Sequence, residues 1–461
     1  MGNHNKLLQF LRPDPAVAAA RSSDDEDEDY ASWSPSPMTS TSGATSAAAS
    51  PSPYVMSPWA QLPGLGADSV GVSDARTRLL GSLVKEDGHV YSLAAAGELL
   101  YTGTDSRNVR VWRDRRELVG FRSGSGLVKT IVVAGDGRIY TGHQDGKVRV
   151  WRASAEDSAV HRRVGSLPRL RDVVTSSLWP SHYVETRRKH NALWLRHFDA
   201  VSCLSLDAAA GLLYSGSWDK TFKVWRLSDS RCLESVRAHD DAINTVAAAG
   251  FDAIVFTGSA DGTVKVWRRE ACGKKGRTRH VMERVLRKGE SAVTAVAVAA
   301  EARVVYVGSS DGAVTHWQWR RGGGEPRKGG ALRGHKMAVL CLAVAGRVVV
   351  SGSADRTISV WRRKEGADHE LLDVLSGHTG PVKCVAMDEE EDADGGDGRR
   401  WVVYSGSLDG SVKVWRVPDS SPDPTPARTP AHAWKGAPSP LHSWTPYAVA
   451  PEPELKRMTA G

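Results

Sequence analysis

Four repeated sets of side chains in the sequence have the residue types of a hydrolytic triad. Each set contains a histidine, a serine or threonine, an aspartate and a tryptophan, and the last three keep a constant spacing. A histidine between a hydroxyl and a carboxylate can activate the hydroxyl as a nucleophile, so a catalytic triad is the first interpretation. The sets are His197, Ser215, Asp219 and Trp225; His239, Thr257, Asp261 and Trp267; His335, Ser351, Asp355 and Trp361; and His378, Ser405, Asp409 and Trp415.

The number of copies argues against a catalytic role for these side chains. An enzyme needs one such site, whereas four sets with the same spacing of hydroxyl, aspartate and tryptophan indicate a repeated structural unit. We therefore expect a protein that is not an enzyme and that has no catalytic residue. The five cysteines are scattered and none forms a Cys-x-x-Cys pair, so the sequence predicts no metal site, no disulfide framework and no cofactor.

The four sets belong to a longer motif that occurs seven times. A glycine stands nine residues before a tryptophan in every copy, and an aspartate stands six residues before it in six copies; the first copy has Ser106 there. Each copy predicts a strand, a tight turn and a second strand, with a further apolar strand on either side. Four short strands in a period of about 40 residues are typical of a propeller blade.

This pattern resembles the WD-repeat family over roughly residues 77–416, and the resemblance implies an all-β, seven-bladed WD-repeat β-propeller. It also implies a structural role for the four sets. The indole donates to the hydroxyl, the hydroxyl to the imidazole and the imidazole to the carboxylate, which also holds the turn. Blades 1, 2 and 5 lack the histidine and have Glu86, Gly124 and Gly289 instead, and blade 5 has Val307 in place of the hydroxyl.

The order of strands predicts how the ring closes. No fourth strand follows Trp415, but an unassigned apolar segment, residues 77–83, precedes the first blade. This segment should complete the seventh blade, because otherwise two strand edges would stay unpaired. We therefore expect a propeller at residues 76–416, closed by its N-terminal strand.

The segments on either side of this propeller, residues 1–75 and 417–461, have the composition of disordered tails. They are rich in serine and proline, and the first contains the acidic run Asp24–Asp29. All ten Ser-Pro and Thr-Pro pairs lie in the two tails. Proline is common in linkers, but these pairs are also candidate phosphorylation sites, among them Ser34, Ser36, Ser50 and Ser52. No stretch is apolar enough for a membrane span or a signal peptide, so we expect a cytoplasmic or nuclear protein.

Two surfaces are candidates for binding partners. Arginine follows the tryptophan in six copies, at the end of the third strand, which the family resemblance places on the bottom face of the ring. These arginines could form a positive crown for carboxylate or phosphate groups, or a solvated rim. The same resemblance places Trp218 on the opposite face, in a turn beside the central channel. The six arginines are Arg113, Arg152, Arg226, Arg268, Arg362 and Arg416.

An insertion of about 30 residues separates Trp151 from His197 and contains the basic run Arg187-Arg188-Lys189-His190. The stretch from Tyr183 to Leu206 is similar to the JINGUBANG-like branch of plant WD-repeat proteins. That similarity implies a regulatory, non-enzymatic protein of cytosol and nucleus.

We therefore expect a monomeric protein-interaction scaffold whose partners are proteins or peptides, including acidic or phosphorylated ones, with no membrane contact. A substrate receptor of a ubiquitin ligase is one alternative, although such WD-repeat receptors usually carry Trp-Asp-x-Arg and no copy here does. A nucleic-acid-binding propeller is another, because residues 76–415 carry a net charge of +13. The aromatic and basic residues are not interleaved as single-strand platforms require, which makes nucleic acid the weaker alternative.

Overall fold

The computed structural model of the chain describes the middle of the sequence. The described residues are 77–418, without residues 85–87, 126, 155–156, 158, 185–191, 273–276, 322–323, 365–367 and 391–399. The two predicted tails, apart from residues 417 and 418, lie outside the described residues. So do the four candidate phosphorylation sites and the basic run at 187–190.

Seven four-stranded antiparallel sheets, the blades, make up the described fold. Six of them are meanders in which strands consecutive in the chain pair side by side. Blade 1 contains β2 (Val90–Ala96), β3 (Leu99–Thr104), β4 (Asn108–Arg113) and β5 (Arg116–Arg122); blade 2 contains β6 (Val128–Val133), β7 (Arg138–His143), β8 (Val148–Ala153) and β9 (His161–Leu167); blade 3 contains β12 (Val201–Asp207), β13 (Leu212–Ser217), β14 (Thr221–Arg226) and β15 (Cys232–Arg237).

Blades 4 to 6 repeat this arrangement, and blade 7 combines strands from both ends of the described chain. Blade 4 contains β16 (Ile243–Ala248), β17 (Ile254–Ser259), β18 (Thr263–Cys272) and β19 (Arg277–Lys288); blade 5 contains β20 (Val293–Ala299), β21 (Val304–Ser309), β22 (Ala313–Gln318) and β23 (Arg327–Arg333); blade 6 contains β24 (Val339–Ala345), β25 (Val348–Ser353), β26 (Ile358–Arg363) and β27 (His369–Leu375); blade 7 contains β28 (Val382–Glu389), β29 (Arg400–Ser407), β30 (Ser411–Pro418) and β1 (Arg78–Val84).

The closure predicted from the strand order is confirmed. Strand β1 pairs antiparallel with β30, and Leu83 of β1 lies opposite Val412. Both side chains are buried in one cluster with Val90 of blade 1, so the closing strand also contributes to the contact between blades 7 and 1. Strand β30 runs to Pro418, and Val417 is fully buried.

The first strand of each blade lies innermost and carries a β-bulge at its second residue. The bulge interrupts the pairing with the second strand in all seven blades. First strands of neighbouring blades contact each other around the ring, and β2 against β28 closes it. The seven bulge residues therefore surround a central channel. They are Tyr91, Lys129, Ser202, Asn244, Thr294, Leu340 and Lys383.

The hydrophobic core lies between neighbouring blades rather than inside any one of them. Trp225 of blade 3 packs with Tyr140 and Val150 of blade 2, and Phe256 of blade 4 packs with Val293 of blade 5. The middle strands are covered on both faces, because each sheet lies between two others. Their sequences are therefore almost continuously apolar instead of alternating, as in β25, where every residue is buried.

The insertion between blades 2 and 3 forms a short helix and a small ribbon. Helix α1 (Leu170–Ser177) is followed by a 3-10 helix (Pro180–His182), and β10 (Tyr183–Val184) pairs with β11 (Ala192–Leu193). The chain then returns to the ring through Leu195, which is buried.

Candidate functional site

The side chains of the four sets form one continuous hydrogen-bonded chain in each of their blades. In blade 3 the Trp225 indole donates to the Ser215 hydroxyl over 2.8 Å, and that hydroxyl lies 2.8 Å from Nε2 of His197. Nδ1 of His197 lies 2.9 Å from Asp219 Oδ2. Because an indole N–H can only donate, the hydroxyl proton is directed at Nε2 and the Nδ1 proton at the carboxylate.

Blades 4, 6 and 7 have the same geometry. From indole to hydroxyl, hydroxyl to Nε2 and Nδ1 to carboxylate, the distances are 2.9, 2.7 and 3.0 Å in blade 4, 3.3, 2.9 and 3.1 Å in blade 6, and 2.9, 2.9 and 2.9 Å in blade 7. All four hydroxyl residues are fully buried and are bonded on both sides. A hydroxyl in this position satisfies buried donors and has no open side from which to attack a substrate.

In blade 3 the environment favours an ionised Asp219 and a neutral His197. Burial alone would raise the pKa of Asp219, but the hydrogen-bonded contact with His197 lowers it below its usual range. Burial likewise lowers the pKa of His197, against the opposing effect of Asp219. The carboxylate also accepts hydrogen bonds from the backbone of Phe198 and Thr221, so it fastens both turns at this end of the blade.

Blade 2 has a substitute for the missing histidine that the alignment of the repeats did not reveal. His143 comes from strand β7, two residues after Thr141, and its Nε2 lies 2.7 Å from the Thr141 hydroxyl. That hydroxyl accepts the Trp151 indole over 3.0 Å. Asp145 no longer meets an imidazole and pairs with Arg149 over 2.8 Å. Gly124 stands at the aligned histidine position of blade 2, and His143 supplies the imidazole from another strand.

Blades 1 and 5 replace parts of the chain with other polar groups. The Ser106 hydroxyl takes the place of the turn aspartate in blade 1 and accepts the backbone N–H of Asn108 over 3.1 Å. In blade 5 the Arg287 guanidinium donates to the carbonyls of Gly262 and Ser291, and Asp311 accepts the Ala313 backbone over 2.9 Å.

These contacts predict different costs for the same substitution in two blades. Asp261 accepts hydrogen bonds from His239, from the backbone of Asp240, and from both the backbone and the hydroxyl of Thr263. We expect Asp261→Ala to lower the free energy of unfolding by about 1–3 kcal/mol, because it leaves a buried imidazole without its partner. Asp311→Ala should cost less, since no histidine depends on Asp311. Chemical denaturation of both variants measures the difference, and equal losses would contradict the role assigned to the histidine.

The six crown arginines lie at the ends of the third strands, but most of them already meet a carboxylate of their own blade. Arg416 binds Glu390 through two nitrogens, and Arg268 donates to Glu283 over 2.8 Å. Arg226 pairs with Asp229 over 3.3 Å and Arg113 lies 3.4 Å from Glu98. Arg362 is only 6% exposed and lies 3.9 Å from Glu370, so it differs from the predicted rim residue. Arg152 is exposed. Local pairing leaves this face less positive than the sequence indicates.

Trp218 lies across the turn-side end of the channel. It packs against a buried apolar cluster from blades 5 and 6, which includes Ala338, Leu340 and Ala354. On its other side, Nζ of Lys129 in blade 2 lies 4.6 Å from the centroid of the indole. The same Nζ lies 5.1 Å from the ring of Tyr91 in blade 1. We call Tyr91, Lys129, Trp218 and Lys383 the channel mouth.

Comparisons with known proteins agree with this architecture. Human (Homo sapiens) striatin-4 is 40% identical to the chain over 43 residues, which are 9% of this chain and 6% of striatin-4. The crystal structure of the WD40 β-propeller domain of Doa1 matches with a TM-score of 0.53 and 19% identity, over 74% of this chain and 96% of that one. A sequence profile described as WD domain, G-beta repeat matches residues 79–113, 191–226, 230–268, 327–362 and 369–416. The chain is a seven-bladed β-propeller, and five stretches of it match the WD repeat.

Blade 2 and the first three strands of blade 5 lie outside the matched ranges, although both four-stranded sheets are complete. They are the blades in which His143 and Arg287 replace the usual histidine. Propellers of this type are typically non-enzymatic. None of the helices in the described part of the chain combines the length and the apolar character that crossing a membrane requires.

The electrostatics of the channel mouth come from two lysines on the innermost strands. Burial lowers the pKa of Lys129 to about 7; the charge of Lys383 adds to this, and Asp199 opposes it. Burial also lowers the pKa of Lys383. Two cationic groups in a partly enclosed site disfavour each other, and an anion between them would relieve this repulsion.

Sequence reasoning found Trp218 but missed Tyr91, Lys129 and Lys383. A usable signal was present, because all three are the second residue of a first strand. In blades 3, 4 and 5 that position carries Ser202, Asn244 and Thr294, which donate to carbonyls of the next blade. Side chains too long for that bond stand in three consecutive blades, 7, 1 and 2. The blades whose residue at this position departs from the others, 7, 1 and 2, therefore indicate the channel mouth.

Proposed function

We propose that this propeller is a non-enzymatic protein-interaction scaffold that binds an acidic segment of a partner protein at the channel mouth. The observation that carries the proposal is the pair of lysines on the innermost strands, Lys129 and Lys383, of which Lys129 lies over the rings of Tyr91 and Trp218. Lysines can bind carboxylate or phosphate groups, and aromatic side chains supply rigid contact area at a protein interface.

The channel mouth suits a peptide better than a nucleic acid. Its cationic groups are two lysines in one recess, whereas a nucleic-acid site needs basic groups along an extended surface. The charge of Asp105 raises the pKa of Tyr91, and the charge of Asp199 raises that of Lys129, so negative groups border the recess. A partner must therefore place its acidic side chain between the two lysines. The crown arginines are weaker candidates because of their carboxylate partners.

The similarity of residues 183–206 to the JINGUBANG-like branch supports a regulatory role in the cytosol or nucleus. The chain would act as a monomer, with the segments outside the propeller as sites of phosphorylation. A substrate receptor of a ubiquitin ligase remains the alternative role, in which the same channel mouth would hold the substrate.

A peptide titration tests the site. A fluorescein-labelled peptide of six alternating aspartates and glutamates is titrated with the full chain, and binding is followed by fluorescence anisotropy at low salt. We expect Lys129→Gln and Lys383→Gln each to weaken binding at least tenfold, and Trp218→Ala to weaken it similarly. Lys336→Gln is the matched control, since Lys336 is exposed next to His335, the histidine of the blade 6 set, on the same face but outside the channel.

The control decides between site binding and general attraction of charges. Equal losses for Lys336→Gln and the two channel variants would mean that the peptide binds the whole basic face. Unchanged affinity in all variants would exclude the channel mouth, and Arg226→Glu with Arg268→Glu would then test the crown.

A further inference from the structure

Helix α1 of the insertion presents its apolar side to solvent. Leu170, Val174 and Leu178 stand at i, i+4 and i+8, on one side of the helix axis, and are 79%, 54% and 73% exposed. Ser176, on the opposite side, is buried. A surface helix normally turns its apolar stripe inward and its polar residues outward. This helix does the reverse, so its apolar stripe has the character of a binding surface.

The apolar surface continues beyond the helix. Trp179, next to Leu178, is 62% exposed, and Tyr183 is also exposed and donates from its hydroxyl to the carbonyl of Ser177 over 3.0 Å. That bond holds the ring of Tyr183 close to the end of the helix. Contiguous exposed apolar residues usually mark an interaction site. We call Leu170, Val174, Leu178, Trp179 and Tyr183 the insertion face.

The insertion face lies along the outer edge of blade 3 and in a basic part of the chain. Burial raises the pKa of Cys232 in β15 to about 12, and the charge of Asp172 contributes, which places α1 beside that strand. Asp172 itself is bound by Arg169 over 2.9 and 3.0 Å. Residues 168–196 contain six basic residues against two acidic ones. A binding segment that has acidic residues close to its apolar ones is therefore favoured.

We propose that the insertion face binds the chain's own N-terminal segment, Lys6–Arg12. Four of five consecutive residues in this segment are large and apolar, namely Leu7, Leu8, Phe10 and Leu11. No other run in residues 1–76 or 419–461 has four large aliphatic or aromatic residues in five. The acidic run Asp24–Asp29 follows shortly after and complements the basic insertion. The segment therefore matches the face in both apolar content and charge.

The length of chain between the segment and the ring permits this contact. Sixty-four residues separate Arg12 from Thr77, where the described residues begin. A flexible chain of that length spans roughly 5–6 Å × √n, or about 40–48 Å. Strand β1 is the outermost strand of blade 7 and α1 lies beside β15, the outermost strand of blade 3, so both lie on the outside of the ring. This contact is separate from the channel mouth and does not depend on the proposed function.

Hydrogen–deuterium exchange on the full chain tests the proposal. We expect amides of residues 170–184 to exchange at least fivefold more slowly in the natural chain than in the variant Leu8→Asp, Phe10→Asp. The matched control is Val55→Asp, Met56→Asp, which adds the same charges in another part of the N-terminal segment and should leave exchange unchanged. Equal exchange in all three chains would overturn the proposal.

A peptide added in trans identifies the occupant. A labelled peptide of residues 1–20 should bind the Leu8→Asp, Phe10→Asp chain, and Val174→Asp with Leu178→Asp in that chain should weaken binding at least tenfold. Val285→Asp is the control, because Val285 is an exposed apolar residue on the outer strand of blade 4. Absence of peptide binding would contradict the proposal, as would a dimer in sedimentation velocity that Val174→Asp dissociates. The dimer would assign the face to a second copy of the chain.

Discussion

We expect removal of residues 1–84 to unfold or aggregate the propeller, whereas removal of residues 1–76 should leave a folded ring. The longer deletion removes β1, which pairs with β30 from Arg78 to Val84. It uncovers Val412 and Val414 in the core between blades 7 and 1, and it exposes the backbone groups of β30. An open edge with an apolar face favours pairing with another chain, so aggregation should accompany the loss of stability.

Thermal denaturation and light scattering of the two truncated chains measure this effect. The shorter deletion should melt close to the full chain. The longer one should melt at least several degrees lower, because unfolding of a single blade breaks the continuity of the ring. A synthetic peptide of residues 76–86 should restore part of the loss, and a scrambled peptide should not. Identical melting of both truncated chains in monomeric form would show that the ring is stable without β1.

The second large effect concerns acid. Burial lowers the pKa of His143 to about 3, and the charge of Arg149 adds to this while Asp145 opposes it. An unfolded histidine titrates near 6.5, so below that pH the unfolded chain binds a proton that the folded chain refuses. The stability associated with the neutral imidazole is therefore complete above pH 6.5 and is lost as the pH falls toward 3. At pH 5 the loss amounts to about 2 kcal/mol, since one pKa unit corresponds to about 1.4 kcal/mol.

His143→Gln isolates this contribution. The glutamine carbonyl can accept the Thr141 hydroxyl but does not titrate in this range. We expect urea denaturation from pH 7 to pH 5 to show a decline in the free energy of unfolding that is about 2 kcal/mol smaller in the variant than in the natural chain. The histidines of the four sets, such as His197 and His378, are present in both proteins, so their contribution to the pH dependence is the same in both. Parallel curves would mean that His143 is protonated in the folded propeller.

Much of the fold could be predicted because six of the seven blades are local meanders. The glycine, aspartate and tryptophan spacing reports on two strands and the turn between them, which in blade 3 all lie within the fifteen residues 212–226. Neighbouring blades then bury each other's faces, so the pattern recurs seven times. The closing strand followed from counting, because β30 needed a partner and the segment 77–83 had none. Blades 2 and 5 were harder, and their sheets form because apolar strands pack between neighbours even when the polar chain is altered.

The partner-binding surfaces depended on contacts that no local pattern encodes. Trp218 meets Lys129 across 89 positions of sequence, and only closure of the ring brings both to one end of the channel. The sequence indicated that Arg416 could bind a partner, but in the structure it pairs with Glu390, which follows β28. Packing in blade 6 buries Arg362. Side-chain direction decided two further features. His143 places its imidazole where blade 2 lacks the usual histidine, and it does so from another strand. Helix α1 turns its apolar stripe outward. The sequence alone therefore determined the repeating frame, through local strand and turn chemistry. The tertiary structure decided which side chains meet or stay exposed, because that depends on the arrangement of distant strands around the ring.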